Sequence, residues 1–186
     1  MEAQRINTVA ETLCIPNIVG NFQLTQSVNL EALCDELGGK YDPDHFPALM
    51  WRDAKTQTTM EIFENGKMNV TGGDSENELL FSPLSIVMRL RRNGMYPNID
   101  VHVIEFPNYV VSCKLGYRLD MNKVKKEADV SPQFKGPRMK LMLCGRQIHV
   151  ICFDTGHLNV TSVRSRAHLP ELVRVVSTHF ERFRLR

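Results

Sequence analysis

Asparagine, threonine and phenylalanine recur in this 186-residue chain at matched positions about ninety residues apart. Gly66-Lys67-Met68-Asn69-Val70-Thr71 is answered by Gly156-His157-Leu158-Asn159-Val160-Thr161 at an offset of 90. Asn17-Ile18-Val19 with Leu24 is answered by Asn108-Tyr109-Val110 with Leu115 at 91, and Phe63 by Phe153 at 90. Phe46 and Phe134 make a looser pair, 88 apart. Amides and hydroxyls hydrogen-bond and phenyl rings stack, so the repeated chemistry is that of binding. The side chains able to do catalysis are not arranged for it. The 6 His form no His-x-x-x-His or Glu-x-x-His pair, and there is no Gly-rich phosphate loop or Gly-x-Ser-x-Gly. No enzymatic activity, cofactor or metal is expected.

A period this long exceeds that of solenoid repeats and implies a duplicated subdomain related by an approximate two-fold. Each copy reads as strand, helix, several strands and a second helix. Asn17 to Leu24 and Asn108 to Leu115 are β-rich. Asn29 caps a helix with Leu30, Leu33, Cys34 and Leu37 on one face, ended by Gly38-Gly39; Asp120 caps its counterpart through Val124 and Ala128. Strands follow at Ala48–Arg52, Thr58–Phe63 and Lys67–Thr71, and at Met139–Leu143, Ile148–Phe153 and His157–Thr161. Glu64-Asn65-Gly66 and Asp154-Thr155-Gly156 are turn chemistry. The closing helices are expected to start at Ser82-Pro83 and Leu169-Pro170, with proline in the first turn. Asn98 to Phe106 reads as a strand leading into the second copy.

Strand alternation sets Met68 and Val70 against Asn69 and Thr71, and Leu158 and Val160 against Asn159 and Thr161. One sheet face is thus apolar, beneath the helices. The other is uncapped and carries Asn, Thr and Phe, which makes it a binding face.

Composition sets the class. Hydrophobic residues make up 42% and charged residues 24%, as in a soluble globular chain, and no run is long and apolar enough to cross a membrane. The N-terminal 16 residues lack the pattern of a signal peptide. The 5 Cys are odd in number and form no Cys-x-x-Cys, so reduced thiols and an intracellular home are expected, with Cys113 and Cys152 in the sheet core. The charge of +2 hides an asymmetry: residues 1–93 hold 8 Lys+Arg against 13 Asp+Glu, and residues 94–186 hold 15 against 8. Such halves often meet different partners.

The motifs resemble those of the TATA-box-binding protein family. Asn17-Ile18-Val19, Tyr41-Asp42-Pro43, Phe46, Thr58-Thr59, Ile62-Phe63, Gly66-Lys67-Met68 and Thr71-Gly72 resemble its first repeat in order and spacing. Asn108, Val110, Ser112-Cys113, Phe153, Gly156 and Thr161 resemble the second. The resemblance implies an α+β saddle. Two pseudo-symmetric repeats, 17–97 and 98–186 after a short tail 1–16, would form one curved antiparallel sheet of about ten strands, with four helices on the convex face. Its concave face would lie in the minor groove of double-stranded DNA and bend it, at a cost on the order of 1–6 kcal/mol and up to roughly 10. Phe46, Phe63, Phe134 and Phe153 would wedge between base steps. Asn17, Val19, Thr71, Asn108, Val110 and Thr161 would meet base edges, and Arg52, Lys67 and Arg146 would meet phosphates.

Two departures from the family stand out. It carries an apolar residue, usually Val, two positions before each Thr, where this chain has Asn69 and Asn159. An amide there either accepts from guanine N2, relaxing A·T preference, or compensates polarity with no change of readout. The family's Glu-Pro-Glu stirrup that meets TFIIB is Val130-Ser131-Pro132-Gln133 here. The resemblance implies a promoter-recognition factor that nucleates transcription in the nucleus, or at a viral transcription site. Its partners would be TFIIB-like and TFIIA-like factors and RNA polymerase machinery, with no membrane. The alternative is a diverged scaffold that binds transcription factors with weak or altered DNA specificity.

Overall fold

The computed structural model describes residues 2–133 and 135–185, with side chains from Ile6 onward. The chain divides into two compact units: Asn17–Pro107, and Asn108–Arg186 together with the residues up to Pro16. It opens with α1 (Glu2–Thr12), which packs in the second unit.

The first unit follows as β1 (Cys14–Leu24), α2 (Leu30–Leu37), β2 (Lys40–Asp42), β3 (Phe46–Arg52), β4 (Thr59–Phe63), β5 (Lys67–Gly73) and α3 (Glu76–Arg92). The opening part of β6 (Val101–Lys114) also belongs to it. Its strands run in the order β2-β3-β4-β5-β1 with antiparallel pairing. The rest of the second unit is the later part of β6, α4 (Met121–Glu127), β7 (Arg138–Leu143), β8 (Arg146–Cys152), β9 (His157–Val163) and α5 (Leu169–Phe180). Its strand order is β6-β9-β8-β7.

Alternation decides which side chains form the core. In β4 and β5, Met60, Ile62, Met68 and Val70 are buried, as are Leu49 of β3 and Leu33, Leu79 and Ile86 of the helices. Ile148, Val150, Leu158, Val160, Leu172 and Val176 do the same in the second unit. The caps form as read: Asn29 accepts from Ala32 N at 2.9 Å, Gly38 closes α2 at φ +74°, and Asp120 accepts from Asn122 N and Lys123 N. Both three-residue turns end in a left-handed glycine, Gly66 at φ +80° and Gly156 at +81°, which no Cβ obstructs.

Four elements differ from the sequence reading. Helix α3 starts at Glu76, because Ser75 accepts from Glu78 N and Ser-x-x-Glu starts a helix more strongly than Ser-Pro. Ser82 is instead buried and shares hydrogen with Thr58 and Thr56, each at 2.6 Å. Strand β6 runs unbroken through Pro107, whose fixed φ suits extended chain. The expected tail forms α1, which packs on α5 and buries Val9, while Thr12 Oγ1 accepts from Lys114 N at 2.9 Å. The second unit's answer to β2 shrinks to a single bridge between Asp129 and Arg138, near Pro132 and Pro137, which have no N–H to donate. The described residues therefore hold nine strands and five α-helices, against about ten and four expected.

Both units carry one bulge at the same place. Opposite β1, Ile18 pairs with Gly73 and Val19 with Thr71, leaving Gly72 as the extra residue at φ +106°. Opposite β6, Tyr109 pairs with Val163 and Val111 with Val160, and there Ser162 holds φ +70°. A left-handed serine is strained where glycine is not. Ser162→Gly is expected to stabilise the protein by about 1 kcal/mol, raising the melting temperature by roughly 2–4 °C. Gly72→Ala is expected to lower it, since a Cβ there would sit 3.2 Å from the Gln57 carbonyl oxygen. Thermal melts by circular dichroism check both signs.

Candidate nucleic-acid interface

The strand faces turned away from the core carry the repeated polar residues. In the first unit Val19 lies opposite Thr71 and Thr71 opposite Thr59. One step along, Asn21 faces Asn69, Asn69 faces Glu61, and Glu61 faces Met50. In the second unit Ser112 faces Asn159 and Asn159 faces Ile151, while Thr161 faces His149. Asn17, Val19, Asn69, Thr71, Asn108, Val110, Asn159 and Thr161 are all half-buried.

The two leading asparagines make the same bond. Asn17 Oδ1 accepts from the bulge N–H of Gly72 at 2.8 Å, and Asn108 Oδ1 accepts from that of Ser162 at 2.7 Å. Each carbonyl is thereby used, and each Nδ2 is left as a donor. Their neighbours differ between the units. Asn69 Nδ2 donates to Glu61 Oε2 at 3.0 Å, and Asn21 Nδ2 to Glu105 Oε1 at 3.4 Å. Asn159 Oδ1 instead lies 3.1 Å from His157 Nε2, which also meets Ser112 Oγ at 2.8 Å.

The aromatic residues sit at the ends of these strands. Phe46 is 39% exposed and meets Phe63 edge-on, with ring centroids 6.2 Å apart. Phe153 is half-buried beside His157, at 5.9 Å. Phe134 lies outside the described residues. Of the expected cations, Arg52 and Lys67 are exposed on the open face, Arg52 opposite Thr59 and bonded to Gln57 Oε1 at 3.0 Å. Arg146 is exposed but stands apart, at the β7–β8 turn on the alternation of Ile148 and Val150.

Among the charged residues of the open faces that escaped the sequence reading are Glu61, Arg138 and Lys140. Arg138 faces Ile151 and Lys140 faces His149. Met60-Glu61-Ile62 and Met139-Lys140-Leu141 carried the signal, since alternation that buries the flanking residues turns the middle one outward. His149 Nδ1 is buried without a hydrogen-bond partner; burial first, then the charges of Arg138 and Lys140, hold this imidazole below its usual pKa. The second unit's open face is thus cationic, whereas a carboxylate stands in the middle of the first.

Comparison with known proteins places these features. The family model described as transcription factor TFIID (or TATA-binding protein, TBP) matches residues 12–92. TATA-box-binding protein 2 of Haloferax volcanii is 27% identical over 158 residues, covering 82% of this chain and 84% of that protein. TATA-box-binding protein E of Halobacterium salinarum is 24% identical over 177 residues, covering 92% and 94%. Among solved structures, the Methanococcus jannaschii TBP superposes with a TM-score of 0.77 at 22% identity, covering 92% of this chain and 99% of that one. That likeness shows the fold.

The opposite face of the same strands is closed. Burial pushes the Cys113 thiol up to about 12 and the Cys152 thiol up to about 11, while Cys14 and Cys144 are exposed. A thiol-reactive probe at mildly alkaline pH is expected to label Cys14 and Cys144 rapidly, and Cys113 and Cys152 only on unfolding. Peptide mapping of a time course reads this directly; fast labelling of Cys113 or Cys152 would contradict the assignment of faces.

Proposed function

We propose that this chain is a member of the TATA-box-binding protein family that binds promoter DNA through the open sheet faces of its two units and bends it to start transcription. The observation that carries this reading is the pair of bonds from Asn17 to Gly72 and from Asn108 to Ser162. A·T pairs present only acceptors in the minor groove. With each carbonyl turned to the bulge N–H, the Nδ2 of Asn17 and Asn108 is the group placed to donate to adenine N3 and thymine O2. Thr71 and Thr161 add hydroxyls on the same faces, and Val19 and Val110 add apolar contact. The family is one of DNA-binding transcription factors rather than enzymes, and is itself the standard example of bending by apolar wedges.

The finer assignments extend that reading. Each unit is one copy of a repeat, the first ending at Pro107 rather than near residue 97. Phe46 and Phe63 wedge at one end of the site, and Phe153 with Phe134 at the other. Arg52 and Lys67 hold phosphates beside the first unit, and Arg138 and Lys140, rather than Arg146, beside the second. Partners of TFIIB and TFIIA type, and through them a polymerase, dock on surfaces away from the DNA. An acidic stirrup at Asp42-Pro43-Asp44 survives, with Asp42 Oδ2 2.9 Å from His45 Nδ1. Asp129 of the second stirrup is exposed and lies 3.7 Å from Arg138. The protein acts wherever chromosomal DNA is transcribed, which in a nucleated cell is the nucleus.

Selection from a random duplex library supplies the bound site, and energy transfer between dyes at the duplex ends reads the bend. Wild type is expected to bring the ends together. Phe63→Ala with Phe153→Ala is expected to abolish that approach and leave the melting temperature within a few degrees. A straight duplex in the wild-type complex would contradict the wedge assignment.

A further inference from the structure

Asn69 and Asn159 occupy the same place in their units, yet their neighbours fix them with opposite polarity. Glu61, a carboxylate, can only accept from Asn69, so it holds the Asn69 Nδ2 at 3.0 Å. Among the described residues no cation pairs with Glu61. This pair therefore presents acceptors outward: the remaining carboxylate lone pairs and Asn69 Oδ1. In the second unit the counterpart of Glu61 is Ile151, which offers no polar atom. Asn159 Oδ1, having no hydrogen, accepts from His157 Nε2 at 3.1 Å, which leaves Asn159 Nδ2 to donate outward.

The minor groove tells these surfaces apart. Along A·T pairs it holds acceptors alone, and a carboxylate placed there meets lone pairs and a negative potential. The guanine 2-amino group is the one donor on its floor. We propose that the two units read different half-sites: the first selects guanine through Glu61 and Asn69, and the second selects A·T through Asn159. This rests on the minor-groove reading above. A recognition site with one G·C-bearing half and one A·T half also has a direction, so the protein would be oriented on its promoter by base readout.

Base analogues that change only the minor-groove amino group test this without altering the protein. In the selected duplex, inosine in place of the half-site guanine removes that group and is expected to weaken binding about tenfold or more, as loss of a hydrogen bond to a charged group does. An added amino group, 2,6-diaminopurine for adenine, is expected to restore binding when its pair with thymine replaces the G·C pair, and to weaken binding in the other half. Glu61→Val is expected to become indifferent to inosine, and Glu61→Gln, which keeps an uncharged acceptor, to lose less than wild type. A wild-type site of A·T pairs in both halves, or a guanine that inosine replaces without loss, overturns this inference while leaving DNA bending intact. A wild type that recovers no duplex from the library overturns the minor-groove reading and this inference with it.

Discussion

A backbone N–H released by a bulge must find an acceptor, and in this protein two asparagines supply it. The extra residue beside β1 and the extra residue beside β6 each leave the ladder, and an unpaired amide there would cost about 1–3 kcal/mol if shut away from water. Asn17 and Asn108 reach across at 2.8 and 2.7 Å. The bond holds the register of the strand pair on which Thr71 and Thr161 lie, and it consumes the carbonyl of each side chain. A structural requirement thereby turns each carbonyl to the backbone and leaves the amide nitrogen as the group placed to meet a ligand. Position and polarity at the open face are settled together.

The two units answer one plan with different charge. Around the shared asparagine the first unit sets Glu61 and Glu105, and the second sets His157, Arg138 and Lys140. The two open faces therefore differ in charge: the second bears cations, whereas the first sets carboxylates beside Arg52 and Lys67. A uniform A·T groove suits the second surface better than the first. The two units share a frame of buried positions, and the residues between those positions make them unlike.

Much of this was legible in the sequence, because alternation and the ninety-residue offset act on the same residues. Met68-Asn69-Val70-Thr71 and Leu158-Asn159-Val160-Thr161 gave the core and the open face at once, and Asn29 and Asp120 marked their helices. What stayed hidden depended on contacts distant in sequence. Ser82-Pro83 resembled a helix start until Thr58 and Thr56 were seen to hold Ser82. The amino-terminal helix has little apolar surface of its own and is secured by α5 and Lys114. Glu61 is one charge within a strand in the sequence, and its meaning comes only with Asn69 across the ladder.

The claim that the open sheet faces meet DNA through Asn17 and Asn108 is tested most directly by their side-chain amide resonances. In the free protein each carbonyl is engaged and each Nδ2 donor is available to a ligand. On titration with the selected duplex, the Nδ2 signals of Asn17 and Asn108 are expected to shift and to become protected from exchange, with those of α2 and α5 unmoved. Unchanged asparagine signals, with the perturbation falling on the helices, would contradict the account.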